Sequence, residues 1–189
     1  MILYKYNKVV TLVMACLSAV AALTSCGDTT DLYSRSACYL VIDNSMHQNF
    51  ELASAMQYPG AFVTITTPGK KFHFVSNQGG SSDASFNAID ERRSFILGYN
   101  GALIVGYGLS IDRTFYAYDR ECPNCYDPDA LPRRGHPVKV DEQGIATCSN
   151  CHRSYDLNNG GIVSQGDGGK QMTRYPASTT GPYGILIVQ

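Results

Sequence analysis

Two cysteine pairs carry the chemistry this sequence offers. Cys122-Pro-Asn-Cys125 and Cys148-Ser-Asn-Cys151 are C-x-x-C turns with 22 residues between them. Such a turn curls the backbone so that both thiols point to one side and its amides face the sulfurs. Two turns together supply four soft ligands at tetrahedral positions, which suits Zn²⁺, a single iron or an iron–sulfur cluster. The same residues also allow two disulfides, or one redox-active pair beside an inert one, if the compartment is oxidising. Cys148-Ser-Asn-Cys151-His152 further fits C-x-x-C-H, the c-type haem attachment pattern, with Met172 as a second axial ligand. Against haem stand the Gly-rich, strand-like setting and the first pair, which haem would leave without a role.

Residues beside the pairs are secondary candidates. His152 follows the second pair directly and could donate to a sulfur from outside the ligand set. His136 lies in the connecting loop Arg133-Arg134-Gly135-His136-Pro137. It reads as a solvated loop residue, because four Cys already suffice, and the two arginines could offset thiolate charge. His47 and His73 have no companions in sequence, and Cys38 opens a strand as a small buried hydrophobe. No paired carboxylates and no nucleophile–base set emerge from spacing, so a hydrolase has no support.

The elements that must position the pairs are strands. Cys38–Asp43, Phe62–Thr66, Phe72–Ser76, Phe115–Asp119 and Tyr183–Val188 are short apolar or alternating runs bounded by turn residues. Ser94–Tyr99 and Ala102–Tyr107 flank Asn100-Gly101, which predicts a two-residue hairpin. One short helix is expected near Glu51–Met56, and no stretch keeps a 3.6-residue period for three turns. The glycine clusters Gly79-Gly80, Gly160-Gly161 and Gly166–Gly169 do not sit between a strand and a helix. They read as turns and not as phosphate loops. Many short strands with Gly, Pro and Asn turns predict an all-β sandwich or barrel.

The N-terminus reads as an export signal. Lys5 and Lys8 precede an uncharged apolar run, Val9–Leu23, of 15 residues. That is short of the roughly 20 residues a spanning helix needs. Leu23-Thr24-Ser25-Cys26 then resembles a bacterial lipobox, in which the Cys is lipidated and becomes the new N-terminus. The expected organisation is a signal at 1–25, a polar tether at 26–37 and a β domain at 38–189. The signal lacks a twin-Arg pair, which implies export of the unfolded chain by Sec. A formal net charge of −1 gives no electrostatic case for nucleic acid. A domain of this size buries about 70% of its unfolded surface and does not need disulfide staples to fold.

The segment after the second pair extends the picture. Cys151-His-Arg-Ser-Tyr155-Asp, then Gly160-Gly161-Ile-Val and Met172-Thr-Arg-Tyr-Pro176, resembles the second cluster loop of the Rieske iron–sulfur fold. Cys148 falls on that family's Cys, Cys151 on its His, and Tyr155 on the aromatic that packs or hydrogen-bonds near the cluster. In the first loop Cys122 falls on the family's Cys. Cys125 stands in for the His, one residue further along than usual. The resemblance covers about residues 116–175, and it is closest to exported bacterial lipoproteins in which Cys replaces both His. It implies an antiparallel β domain with a small metal-binding subdomain. It also implies a [2Fe–2S] centre with an electron-transfer or oxidoreductase role. Four thiolates in place of two neutral His would depress the potential toward plant-type ferredoxin values, about −400 mV.

Export bears on the metal. A cluster assembled in the cytosol cannot travel with an unfolded chain, whereas Zn²⁺ binds afterwards and favours closed four-thiolate sites. The sequence thus leads to an envelope protein held to the membrane by lipid at Cys26. Its four-Cys centre is expected to hold zinc, with [2Fe–2S] and then c-type haem as alternatives. The expected role is a non-enzymatic binding or structural module, with an envelope protein or a redox partner as its counterpart.

Overall fold

The computed structural model describes residues 32–132 and 134–189. The signal, Cys26 and Arg133 lie outside these residues. The described chain is all-β apart from two short α-helices and two 3₁₀ turns (Asp90–Arg92 and Leu157–Asn159), with three antiparallel sheets in three layers.

The central layer has six strands. β2 (Phe62–Thr66), β3 (Lys71–Ser76), β4 (Ser81–Ser85), β5 (Ala102–Tyr107), β6 (Phe115–Asp119) and β11 (Arg174–Tyr175) stand in the order β11-β6-β5-β2-β3-β4. β1 (Leu40–Asp43), β13 (Ile185–Val188) and β12 (Ala177–Thr179) form an outer sheet with β13 in the middle. The other outer sheet is small. It joins β7 (Lys139–Val140), β8 (Ile145–Thr147), β9 (Ser154–Asp156) and β10 (Ile162–Gln165) in sequence order.

Side-chain alternation splits the central sheet between two cores. Val63, Ile65, Phe72, Phe74, Leu103, Val105 and Ala117 point to one face. There they meet Leu40, Ile42, Leu186 and Val188 of the three-stranded sheet, and Leu52, Ala55 and Met56 of the helical segment. Phe62, Ile104, Tyr116 and Tyr118 point to the opposite face and pack on Val138, Ala146, Cys148, Tyr155, Leu157 and Met172. β5 is thus apolar at every position through Val105 because both its faces are covered.

The helices are α1 (Asn44–His47) and α2 (Phe50–Ala55). Asp43 caps α1 by accepting from the Ser45 N–H, and Asn49 caps α2 by accepting from Leu52 N–H at 2.9 Å. Leu52, Ala53 and Ala55 are the buried stripe of α2.

The hairpin expected at Asn100-Gly101 does not form. Ser94–Tyr99 contributes a single bridge, Ile96 to Tyr39, and no strand. Both edges of β5 are already taken, by β2 and by β6. The chain before it turns away at Gly98, φ 61°, where the Tyr99 N–H reaches the buried Asp119 carboxylate at 2.8 Å. Tertiary pairing outweighs the local turn signal here. Among the described residues no helix is long and apolar enough to cross a membrane.

Candidate metal centre

β6 leads directly into the first cysteine turn. Its last residue, Asp119, is fully buried and accepts from the N–H groups of Tyr99 and Glu121 and from the Tyr175 hydroxyl. The Glu121 carboxylate, also buried, accepts from the His136 N–H at 2.7 Å, and the His136 carbonyl accepts from the Cys122 N–H. His136 therefore serves the site through its backbone. These bonds fix where the chain leaves the sheet before Cys122. The turn closes with Cys125 N–H and Tyr126 N–H both donating to the Cys122 carbonyl.

The second turn joins β8 to β9. Cys148 N–H donates to the Arg153 carbonyl and His152 N–H to the Cys148 carbonyl. His152 takes the left-handed conformation at φ 58° and stands exposed. Arg134 is exposed on the connecting loop.

The four sulfurs of Cys122, Cys125, Cys148 and Cys151 all lie within 4.8 Å of one another. The Cys122–Cys151 and Cys125–Cys148 separations are 3.6 and 3.7 Å. All four are free thiols, so the two-disulfide alternative is not the arrangement seen. A tetrahedron of sulfurs about 2.3 Å from a central ion has an edge of about 3.8 Å. The two short separations match that edge, and the set is positioned to hold one metal ion. Cys122 and Cys148 are buried, while Cys125 and Cys151 are partly exposed. Cys38 is also a free thiol but packs in the larger core, away from this set. Burial pushes its thiol up to about 11.

Electrostatics differ across the site. Burial pushes the Cys122 thiol up to about 12, against the opposing donations of the Tyr155 hydroxyl and the Asn124 backbone N–H. Cys151 moves the other way. Despite some burial, the Arg153 backbone N–H and guanidinium bring it down to about 6. Without an ion Cys122 holds its proton at neutral pH, so ion binding there releases it.

Outside the thiols, three side chains tie the loops together. The Tyr155 hydroxyl lies 3.1 Å from Cys122 Sγ and accepts from Asn124 Nδ2 at 2.9 Å, which leaves its own proton for the sulfur. Asn124 also exchanges two bonds with the Lys170 backbone, Nδ2 to the carbonyl at 2.8 Å and Oδ1 from the N–H at 2.9 Å. That clasp brings the segment after β10 against the first turn. Asn150 Nδ2 donates to Cys125 Sγ at 3.3 Å, so Asn150 reaches from one turn to the other. Sequence reasoning did not find Asn124 or Asn150. The available signal was the repeat of Asn immediately before the second Cys of each pair.

Tyr155→Phe removes the hydroxyl between Asn124 and the sulfur and keeps the ring in place. Metal affinity is expected to fall about tenfold, the low end for lost partners of ligand atoms. Competition with a chromogenic chelator measures it, and an unchanged affinity would show the hydroxyl to be a bystander.

No protein-family model matches this chain, and no curated protein matches it at a significant level.

Proposed function

We propose that this chain is an exported, lipid-anchored envelope protein whose Rieske-like β domain uses one Zn²⁺ as a clamp between two loops. Its role is to bind or support a partner, without catalysis. The compactness of the four sulfurs carries this reading, since every pair lies within 4.8 Å. A two-iron cluster seats one pair of sulfurs on each iron and needs the pairs to stand further apart than two ligands of one ion. Four thiolates around one Zn²⁺ form a closed site with no position left for water or substrate, which is the structural class of zinc centre. The likeness to the Rieske arrangement draws support from the three antiparallel sheets and from the small sheet that carries the second pair.

Haem attachment is not favoured by this arrangement. The Cys148 and Cys151 thiols turn toward Cys122 and Cys125, His152 is exposed, and Met172 is buried in the second core. A [2Fe–2S] electron carrier is the second reading. The hydroxyl of Tyr155 and the amide of Asn150 both approach sulfurs, and hydrogen bonds of that kind tune a cluster's potential.

Metal analysis of protein purified from the membrane fraction of its native cell decides between them. The expected result is one zinc per chain and a colourless protein. Two irons and acid-labile sulfide, with a brown colour, would overturn the zinc reading and leave the electron carrier. A soluble, unlipidated native protein would overturn the envelope assignment.

A further inference from the structure

The second face of the six-stranded sheet is only partly covered. Phe62 and Ile104 lie under the small sheet, but further along β2 and β3 the floor mixes polar side chains with Val75. A cleft of about 430 Å³ opens there, floored by Thr64, Thr66, His73 and Val75 and walled by β7. Its volume falls within the range of small-molecule sites, about 300 to 1,000 Å³. The cleft is held at a fixed width. Asn77 accepts from the Phe62 N–H at 2.8 Å on the central sheet, and its Nδ2 donates to the Asp141 carbonyl at 3.0 Å just past β7.

Its charge is unbalanced. Arg120 and Lys139 both line the cleft, and neither has an ion-pair partner among the described residues. Lys70 and Lys71, by contrast, are paired with Glu91 and Asp83. Asp83, across from His73 on β4, is engaged by Lys71 at 2.6 Å and by His73 Nδ1 at 2.7 Å. The Thr64 and Thr66 hydroxyls have no protein hydrogen-bond partner among the described residues. The site thus combines two uncompensated cations, one of them a guanidinium able to grip a carboxylate or phosphate through two donors, with two threonine hydroxyls.

We propose that this cleft binds a small organic anion, a hydroxyl-rich molecule of about one sugar ring carrying a carboxylate or phosphate. Arg120 and Lys139 hold the anionic group, and Thr64 and Thr66 meet the hydroxyls. The proposal stands apart from the identity of the metal. Arg120 lies two residues before Cys122, and its carbonyl accepts from Val138 N–H at 2.8 Å, so the seat shares a segment with the metal turn but none of its ligands.

Amide spectra of the ¹⁵N-labelled, metal-loaded full chain test this, with glucuronate, glucose 6-phosphate and neutral glucose as probes. The two anions are expected to shift the amides of Thr64, Thr66, Val75 and Lys139 saturably, and glucose is not. Preference between the two anions tells a carboxylate ligand from a phosphate one. Arg120→Gln and Lys139→Gln are each expected to weaken binding about tenfold, the size of one charge-assisted contact. Lys139 is exposed on a two-residue strand, so its variant tests the site even if Arg120→Gln disturbs the turn. No saturable shift with either anion at millimolar concentration would overturn the proposal. So would glucose binding as tightly as glucuronate, or Lys139→Gln binding unchanged.

Discussion

Stripping the metal with a chelator, or making Cys148→Ala, is expected to release the small sheet while the rest of the molecule stays folded. β7 to β10 are two to four residues long, too short to hold themselves. Structural zinc sites bind with apparent energies of about 10–16 kcal/mol, comparable with the whole net stability of a domain, about 5–15 kcal/mol. Losing that term should remove more than packing of the second core can replace. Hydrogen exchange within 120–126, 145–156 and 162–172 should accelerate by roughly three orders of magnitude, about 4 kcal/mol of lost protection. β1, β3 and β13, which pack in the other core, should keep theirs. Equal protection in the loops before and after metal removal would sink the structural role, whatever the metal is.

The second large effect is expected at Gly161→Ala. Gly161 sits at φ 75°, where side chains other than Gly are strained, and a Cβ there would stand 2.6 Å from Met172 Cβ and 2.9 Å from Tyr118 Cε1. Neither neighbour can retreat. Met172 is pinned by its N–H donating to the Gly161 carbonyl, and Tyr118 by its hydroxyl donating to the Leu157 carbonyl. Left-handed strain and overpacking together should cost about 3 kcal/mol. Gly168→Ala is the control, since its Cβ would meet nothing within 4 Å and the change should stay within about 0.5 kcal/mol. Denaturant midpoints of the two variants measure the difference, and equal midpoints would refute the argument.

How much of this was legible depended on whether the deciding force was local. β2 and β6 lie where the sequence places them, because each alternates between two cores, with Val63, Ile65 and Ala117 in one and Phe62, Tyr116 and Tyr118 in the other. β4 was hidden. Ser-Ser-Asp-Ala-Ser carries almost no hydrophobic signal, and the strand exists because β3 offers it a backbone ladder. Side-chain bonds then hold it, from Asn49 to Ser82 and from Lys71 to Asp83. The strands of the small sheet were illegible for a related reason, being too short to show a period. Asn100-Gly101 misled because it is a strong local signal beside a strand whose edges had better partners. The thiols were legible by spacing alone. Asn124, Asn150 and the Lys170 backbone were not, since nothing in a linear sequence says that residue 170 returns to residue 124.

The sharing of the central sheet by two cores has a consequence for engineering. The stretch from 116 to 175 contains every thiol of the centre and invites transplantation into another scaffold as a self-contained metal cassette. It would arrive without Phe62 and Ile104, fully shielded side chains that back the cysteine turns from strands far earlier in the chain. A recipient must therefore supply its own apolar wall at those two places, or the excised cassette will expose Tyr116 and Tyr118 and aggregate through them.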